Sequence, residues 1–264
     1  MKKIGIYCVN YHSYDSLNDY LISIEKAAET AYNTADVFVY VVDNTIPTEK
    51  IEYCPNNFSL QVFSTGNNLG YFGAVRYAMQ QVSPSEFDYI IISNVDVLMT
   101  EDTIIELSRT VIDPTIGWIA PALYSDKYEF DWNPQAITRY PEIKLRTMSL
   151  FFKFPFLLFL KQKLLHQYKR SQYLSGGKIY AAHGSFIILT RYFFNKCGII
   201  HYPIFLYYEE IYLAEECRKH QLDVVYMPQI HVRDIGKVST GKMPAKAYCK
   251  HNYEGVNYIL SHYY

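Results

Sequence analysis

Tyr89-Ile-Ile-Ile-Ser-Asn-Val-Asp-Val-Leu-Met99 decides the fold, because it joins a run of apolar residues to a polar tip. The apolar run predicts a buried strand, and the tip is Asn94-Val-Asp96. In open α/β sheets, ligands bind outside the carboxyl ends of the strands, so we expect Asp96 to be a functional residue. The alternative is that Asn94 and Asp96 only form a turn, since both residue types favour turns.

Further apolar runs alternate with helical periodicity on both sides of this stretch. Strands are predicted at 3–9, 37–42, 60–64 and 118–123, and helices at 17–31, 74–82 and 100–111. Such alternation predicts an α/β fold with a mostly parallel central sheet flanked by helices. Because Pro121 cannot donate to a strand ladder, we expect the strand at 118–123 to lie near an edge of the sheet.

Length and charge exclude several classes of protein. The chain has 264 residues, half of them hydrophobic, which is enough for one large domain. Its formal net charge is −1, so no overall basic field exists to bind a nucleic-acid backbone. We therefore expect a single domain and no nucleic-acid partner.

The cysteines and the N-terminus indicate a cytoplasmic protein. The five cysteines are scattered and form no Cys-x-x-Cys pair, which argues against a disulfide framework or a zinc cluster. The N-terminus does not have the pattern of a signal peptide. No uncharged apolar run approaches the roughly 20 residues that span a bilayer.

A loop containing several glycines precedes the predicted helix at 74–82. Its sequence is Gly66-Asn-Asn-Leu-Gly-Tyr-Phe-Gly73. Glycines allow backbone N–H groups to approach an anion, and a helix N-terminus favours negative charge, so this loop is a candidate phosphate-binding element. The alternative is that Gly70 and Gly73 only allow close packing of the helix on the sheet.

The pattern changes after residue 123. Residues 124–146 show no clear period and are predicted to form a loop near the site. Residues 151–170 combine phenylalanines with several cations, which is typical of a segment that contacts a membrane surface without crossing it. A core helix with a basic, solvated end explains the same residues.

Two further segments carry polar residues among apolar ones. Strand character returns at 179–190 and is interrupted by His183-Gly184. Glu209 and Glu210 then stand at the start of a predicted helix that runs to His220. Their position at the positive end of the helix dipole would by itself explain both acids as capping charges. A short strand is predicted at 223–226, with His231 in the loop that follows.

Together these motifs resemble the family 2 glycosyltransferases of the GT-A fold, most closely the bacterial rhamnosyl- and galactofuranosyltransferase-like branch that builds cell-surface polysaccharides. The resemblance covers nearly the whole chain. It rests on Val9-Asn-Tyr11, Asp43-Asn44, the loop Gly66–Gly73, Asn94-Val-Asp96, His183-Gly-Ser185, Phe205-Leu-Tyr-Tyr-Glu-Glu210 and His231. Each motif alone is weak, but their order and spacing are fairly specific.

The resemblance implies a role for each of these residues. Donor-binding residues would be Asn10, Asp43, Asn68, Gly70, Asn94 and Asp96, with Asp43 on the base or ribose of the nucleotide. Asp96 would hold a divalent metal on the diphosphate, and His231 would be a further metal or phosphate ligand. Glu210 would be the catalytic base of a single, inverting displacement. His183 and Gly184 would contact the acceptor.

The chemistry of these residue types agrees with such roles. A divalent ion neutralises the charge that develops on a diphosphate leaving group, and Asp96 offers the hard oxygen ligands that Mn²⁺ and Mg²⁺ prefer. A histidine ligand favours Mn²⁺. A carboxylate within reach of an acceptor hydroxyl accepts its proton at the transition state.

The resemblance also implies partners and an organisation. The donor would be a dTDP- or UDP-linked sugar, and the acceptor a saccharide or lipid-linked saccharide. The protein would be cytoplasmic and could act at the inner face of the membrane. Residues 1–123 would form the nucleotide-sugar-binding half, residues 124–241 the acceptor and catalytic half, and residues 242–264 a C-terminal aromatic tail.

The sequence departs from the family pattern at two places. Asn94 replaces one of the usual metal-strand aspartates, and the acid pair is Glu-Glu rather than Glu-Asp, so Glu209 is an alternative base. Two other functions therefore stay open, a sugar-nucleotide pyrophosphorylase and a catalytically silent sugar-binding homologue. The absence of a glycine-rich, basic loop after the first strand counts against the pyrophosphorylase.

Overall fold

The computed structural model describes residues 1–156, 175–236 and 243–264. Its strands form one sheet, in the order β3-β2-β1-β4-β9-β6-β10-β5, with β7 added beside β6 and β8 beside β10. The strands are β1 (Lys2–Asn10), β2 (Ala35–Asp43), β3 (Ser59–Ser64), β4 (Tyr89–Asn94), β5 (Val97–Met99), β6 (Ile116–Ser125), β7 (Phe130–Asp131), β8 (Gly177–Ile179), β9 (Phe186–Thr190) and β10 (Asp223–Asp234).

Helices cover both faces of this sheet. They are α1 (Tyr14–Thr30), α2 (Tyr71–Gln81), α3 (Thr103–Arg109), α4 (Glu142–Lys153), α5 (Arg191–Cys197), α6 (Glu209–Lys219) and α7 (Ala245–Tyr263). Because side chains alternate along a strand, the sheet has two cores: α1 and α3 pack on one face, and α2, α5, α6 and α7 contribute to the other. The predicted α/β architecture with a mostly parallel, helix-flanked sheet is confirmed.

The first four neighbours in the sheet, β3, β2, β1 and β4, run parallel. Asn10 lies opposite Asp43, and Val9 lies opposite Asn94. The polar residues that follow three apolar runs in the sequence therefore meet at the carboxyl ends of β1, β2 and β4. These strand ends carry the candidate site.

The second half of the sheet is mixed. β9 lies between β4 and β6 and is antiparallel to both. It follows both of these strands in the chain. The stretch Tyr89–Met99 forms two strands rather than one, because β5 leaves β4 after Asn94 and pairs with β10. β10 is also much longer than the short strand predicted at 223–226.

The predicted edge position of residues 118–123 is wrong. β6 lies inside the sheet, between β9 and β10. The ladder tolerates Pro121 because β9 pairs only with Trp118 and Ile119, and because the ladder to β10 is irregular after the Met227–Pro121 pair. The missing N–H of proline therefore falls where neither neighbouring ladder is regular.

The C-terminal residues form α7, which packs on α4 and buries Val256 and Ile259 in the core. Part of the segment predicted at 151–170, namely residues 157–170, lies outside the described residues. Before it, Phe152 is buried while Phe154 and Phe156 are exposed. Among the described helices, none is both long and apolar enough to cross a bilayer.

Candidate functional site

A cavity of about 570 Å³ opens at the carboxyl ends of β1 and β4. One wall comes from the strand ends and the loop before α2, and the facing wall comes from the segment that leads into α6. The lining residues include Asn44, Asn68, Gly70, Tyr71, Asn94, His183, Gly184, Glu209 and Glu210. The structure thus brings most of the residues predicted from sequence to one cavity.

Asn10 and Asp43 are buried beside the cavity and do not line it. The Asp43 Oδ1 atom accepts hydrogen bonds from Asn10 Nδ2 at 3.1 Å and from the Thr45 backbone N–H at 3.1 Å. Its Oδ2 atom accepts a bond from the Tyr14 hydroxyl at 2.7 Å. With both oxygens occupied, Asp43 fixes the ends of β1 and β2 in this conformation.

Asn44 holds the glycine-bearing loop against the sheet. Its Nδ2 atom donates to the Gly70 carbonyl at 2.9 Å, and its Oδ1 atom accepts from the Thr65 hydroxyl at 3.1 Å. Asn68 fixes the same loop, because its Oδ1 atom accepts from the Gly70 N–H at 3.0 Å. The loop is therefore held by side chains from its own residues and from the end of β2.

Gly70 is required where this loop meets the facing wall. Its φ is +74°, and a Cβ added there would lie 2.0 Å from the Phe205 carbonyl oxygen. The next residue, Tyr71, donates its backbone N–H to that same oxygen at 3.3 Å. Gly70 thus lines the cavity and permits the close approach of the two walls, rather than packing of the helix on the sheet, and its role in phosphate binding stays a prediction.

Asp96 lies just after the strand end at Asn94 and Val95, both of which line the cavity. Burial, together with the negative charge of Asp234, raises the pKa of Asp96 to about 6, and a hydrogen bond with Asn94 opposes the shift. Asp234 accepts the Trp132 indole N–H at Oδ2 and the Gly236 N–H at Oδ1. The mutual repulsion of the Asp96 and Asp234 carboxylates would be relieved by a cation.

The structure brings Asp234 to Asp96 and leaves His231 apart. In the β5–β10 ladder, Asp234 lies opposite Val97, and the Ile235 N–H donates to the Asp96 carbonyl at 3.3 Å. By the same register His231 falls opposite Thr100, roughly 13 Å along the strand from Asp96. The sequence did not indicate Asp234, because β10 was expected to end at residue 226.

His183 is held as a neutral side chain. Its Nδ1 atom is 2.8 Å from the Ser185 hydroxyl, its ring stacks on Trp132 with centroids 5.4 Å apart, and its backbone N–H donates to Asn133 Oδ1. Burial lowers the pKa of His183 to about 4, against the opposing charge of Asp234. His183 is therefore uncharged near neutral pH and suits packing or hydrogen bonding rather than ion pairing.

The two adjacent acids at the start of α6 have different environments. Glu209 is 6% exposed, and its Oε1 atom accepts the Tyr207 N–H at 2.9 Å. Burial and the nearby charge of Glu210 raise the pKa of Glu209 to about 8. Glu209 therefore fixes the turn before the helix and carries a proton over much of the neutral range.

Glu210 is directed across the cavity. Its Oε1 atom accepts a hydrogen bond from Gln135 Nε2 at 3.1 Å, and a Cβ built on Gly184 would lie 3.6 Å from its Oε2 atom. Burial raises the pKa of Glu210, which makes the ionised carboxylate a stronger base than an ordinary one. Gln135, which lies in the segment predicted to form a loop near the site, orients this carboxylate.

The turn that precedes both acids has a strained backbone and is stabilised by contacts with Tyr202 and with α7. Tyr207 and Tyr208 adopt φ of 75° and 68°, a region that non-glycine residues rarely occupy. The Tyr202 hydroxyl donates to the Tyr207 carbonyl at 2.8 Å. Gly255 of α7 packs so closely that an added Cβ would lie 2.8 Å from the Tyr208 ring. The C-terminal helix thus supports the acid-bearing wall.

Tyr71 is a further cavity residue that no sequence motif indicated as functional. Its hydroxyl is buried and has no hydrogen-bond partner within the described part of the chain. Burial, with the charges of Glu209 and Asp96 among the lesser causes, raises the pKa of Tyr71 well above 10, so the hydroxyl keeps its proton. A buried donor of this kind is satisfied when a bound molecule supplies an acceptor.

Comparison with solved structures gives the fold type. No protein-family model matches the chain, and no curated protein sequence matches it. GalNAc-T7, in a structure with UDP, GalNAc and Mn²⁺, superposes with a TM-score of 0.57 at 12% identity, over 98% of this chain and 48% of that one. TarS of S. aureus gives a TM-score of 0.59 at 11% identity, over 98% of this chain and 44% of TarS.

A third match is the mannosyltransferase PcManGT of Pyrobaculum calidifontis, in complex with GDP-Man and Mn²⁺. The TM-score is 0.53 at 11% identity, over 98% of this chain and 70% of PcManGT. This chain spans about half the length of the first two proteins. These likenesses establish a GT-A type fold, and the rhamnosyl- and galactofuranosyltransferase-like branch stays a prediction.

Proposed function

We propose that this protein is an inverting glycosyltransferase that moves a sugar from a nucleotide-sugar donor to a hydroxyl of a saccharide or lipid-linked saccharide. The observation that carries the proposal is the shared cavity: Glu210 lies on one wall, and the Asn94 strand end that leads to Asp96 lies on the other. Support comes from the fold neighbours, since GalNAc-T7 was solved with UDP and Mn²⁺ and PcManGT with GDP-Man and Mn²⁺.

We assign the divalent-cation site to Asp96 and Asp234. The charge of Asp234 contributes to the raised pKa of Asp96, and both offer the hard oxygen ligands that suit Mn²⁺ or Mg²⁺. When bound, the ion supplies positive charge for the diphosphate leaving group. The Asp234 Oδ2 atom also accepts the Trp132 indole N–H at 2.7 Å, which orients this carboxylate.

Glu210 is the proposed general base. Its carboxylate takes the proton of the acceptor hydroxyl while the hydroxyl oxygen attacks the anomeric carbon, and the bond from that carbon to the diphosphate oxygen breaks. Because attack and departure occur on opposite faces in one step, the configuration inverts. Glu209 is less suited to this role, because its burial and its bond to the Tyr207 N–H direct it into the turn.

The donor half of the site includes the loop before α2. Asn68, Gly70 and Tyr71 line the cavity, and the buried Tyr71 hydroxyl has no hydrogen-bond partner among the described residues. A dTDP- or UDP-linked sugar is the donor that the resemblance to the rhamnosyl- and galactofuranosyltransferase-like branch implies, and cell-surface polysaccharide synthesis is the corresponding pathway class.

The decisive experiment is turnover with a panel of UDP-, dTDP- and GDP-sugars in the presence of Mn²⁺ or Mg²⁺. We expect release of free nucleoside diphosphate from one donor class, increased by a saccharide acceptor, with the inverted linkage seen by NMR. Nucleotide exchange that depends on pyrophosphate would indicate a pyrophosphorylase. Saturable binding with no turnover would indicate a silent sugar-binding protein.

Contact with the cytoplasmic face of a membrane is a separate part of the proposal. Phe154 and Phe156 are 47% and 68% exposed, and Lys153 lies beside them. Exposed aromatic residues beside a cation are typical of interfacial segments. Replacing both phenylalanines with Ser should reduce sedimentation with anionic vesicles while turnover on a water-soluble acceptor is retained. Unchanged sedimentation would contradict this contact.

A further inference from the structure

Outside the cavity, the described residues contain one group of three side chains whose ligand atoms could hold a metal ion. Cys197 Sγ, a carboxylate oxygen of Glu216 and a ring nitrogen of His220 lie within 4.8 Å of one another. None of the three lines the cavity. We propose that these residues form a second, separate metal site of the zinc class, independent of the proposed transferase function.

The three side chains already lie close to the positions that a tetrahedral metal ion requires. Glu216 and His220 are four residues apart, so they lie on one face at the end of α6. His220 Nε2 is 3.7 Å from Glu216 Oε2, whereas two ligands of a tetrahedral zinc ion are separated by roughly 3.3–3.6 Å. Cys197 ends α5, and its Sγ lies 4.0 Å from the Glu216 carbonyl oxygen.

A neighbouring tyrosine orients the carboxylate for this role. The Tyr263 hydroxyl of α7 donates to Glu216 Oε1 at 2.7 Å. That bond leaves Oε2, the oxygen nearer His220, for a metal. Hydrogen bonds of this kind to a ligating carboxylate fix its direction and increase metal affinity.

Two lysines compete for the same groups but do not occupy the ligand atoms. Lys219 Nζ is 3.6 Å from Glu216 Oε1, the oxygen already bonded to Tyr263, and its side chain is 61% exposed. Lys196 Nζ donates to the His220 carbonyl oxygen rather than to the imidazole. Both ammonium groups are on long side chains that can turn into solvent when a cation binds.

The ligand set distinguishes this site from the one at Asp96. A thiolate and an imidazole favour Zn²⁺, whereas a pair of carboxylates suits Mn²⁺ or Mg²⁺. On binding, the Cys197 thiol releases its proton to solvent and a metal–sulfur bond forms. The bound ion would join α5 to α6, and through Tyr263 the joined pair would contact α7.

Titration of the chelator-treated full chain with Co²⁺, followed by Zn²⁺, tests the proposal. We expect one Co²⁺ per chain to give thiolate-to-metal charge-transfer absorption in the near ultraviolet, which Zn²⁺ then removes. Zn²⁺ should also raise the Tm, and Mg²⁺ should not. In Cys197→Ser and His220→Gln the affinity should fall at least about a hundredfold, since even outer-shell changes cost 10–100-fold.

The controls separate this site from other cation sites. Cys54→Ser removes an exposed cysteine elsewhere and should keep the absorption, and Asp96→Asn should keep it as well. Circular dichroism establishes that each variant is folded, and His220→Gln provides a second test if Cys197→Ser unfolds. Wild-type protein without charge-transfer absorption, or absorption that survives in both folded ligand variants, would overturn the proposal.

Discussion

The two walls of the cavity are fixed in different ways. The strand-end wall, made of the ends of β1, β2 and β4 with the loop 66–73, is held by ladder register and by hydrogen bonds between neighbouring strand ends, such as Asn10 to Asp43. The acid wall, residues 205–210, is held by Gly255 of α7 and by Tyr202 across a strained turn. The first wall is set by strand pairing within the sheet, and the second depends on the packing of α7 and on a hydrogen bond from Tyr202.

The carboxylates of the two walls also differ in how many hydrogen bonds the protein gives them. The Asp43 carboxylate is saturated by protein donors, whereas the described structure gives Glu210 one side-chain hydrogen bond and exposes it to the cavity. A saturated carboxylate positions its neighbours, and an unsaturated one can exchange a proton with a ligand. We therefore expect changes in the acid wall to affect turnover and changes in the strand-end wall to affect binding.

The largest expected effect is that of Glu210→Gln. Loss of the base should reduce turnover about 10²–10⁴-fold, while the Kd for the nucleotide stays within about twofold. Turnover and nucleotide binding are measured on the same preparation. Glu209→Gln is the matched control and should retain most of the activity. If instead Glu209→Gln is the inactive variant, the base assignment moves to Glu209.

The next largest effect is expected on the other wall, with Asp96→Asn. Removal of a charged ligand should weaken Mn²⁺-dependent nucleotide binding by roughly a hundredfold, and Asp234→Asn should act in the same direction. Calorimetry with and without Mn²⁺ measures the difference. His231→Ala and the surface variant Asp102→Asn serve as controls and should bind normally. Weakened binding only in His231→Ala would restore the histidine as the metal ligand.

Gly255→Ala tests how far the acid wall depends on α7. Replacing an exposed glycine in a helix with alanine usually raises the free energy of unfolding by about 1 kcal/mol. Here the added methyl would meet the Tyr208 ring at 2.8 Å and the Tyr207 carbonyl at 3.0 Å, so we expect a loss of about 1–3 kcal/mol in unfolding free energy.

Turnover of Gly255→Ala should fall more than nucleotide affinity, because the turn before Glu210 shifts. Chemical denaturation and kinetics measure the two effects. Ser261→Ala, at an exposed position of the same helix, is the control. A stabilised Gly255→Ala protein with normal turnover would show that α7 does not support the acid wall.

Tyr71→Phe should have a smaller effect, confined to ligand binding. The described protein structure offers the Tyr71 hydroxyl no partner, so stability should not fall, while loss of one hydrogen bond to a ligand should weaken binding about 2–13-fold. Tyr208→Phe is the matched control, because its hydroxyl is also buried without a partner but does not line the cavity. Equal ligand affinities in the two variants would exclude a role for Tyr71.

The smallest expected effect is a pH dependence of stability from Glu209. Its pKa rises from 4.5 to about 8 on folding, so the folded state holds this proton more tightly than the unfolded state. The contribution is present below about pH 4.5 and is lost as the pH rises through 8. Thermal unfolding of Glu209→Gln should therefore show a Tm advantage over wild type that grows between pH 5 and 8. A Tm difference that does not change with pH would contradict the raised pKa of Glu209.

Much of the strand-end wall could be predicted from the sequence. Apolar runs that end in polar residues predicted β1, β2 and β4, and two residues selected from the sequence, Asn94 and Glu210, line one cavity. The metal role of Asp96 and the base role of Glu210 stay predictions. These features depend on local patterns. The metal role of His231, which the family resemblance implies, stays a prediction. Asp234 was not selected because the irregular ladder around Pro228 hides the length of β10.

Features fixed by long-range contacts could not be predicted. The need for glycine at 255 depends on tyrosines almost 50 residues earlier, and the role of Gln135 depends on Glu210 in a different segment. Neither contact produces a periodic pattern of residues that could be recognised in the sequence. The interior position of Pro121 was missed for the same reason, since it depends on where β9 and β10 stop pairing with β6.

The insertion of β9 between β4 and β6 has a consequence for synthesis of the chain. Both neighbours are complete about 60 residues before β9 begins, which corresponds to several seconds at ribosomal rates of about 5–20 residues per second. During that interval two hydrophobic strands present open edges that can pair with other molecules. The nascent protein therefore passes through a stage at which chaperone binding competes directly with aggregation, and a chain cut after residue 125 would remain there.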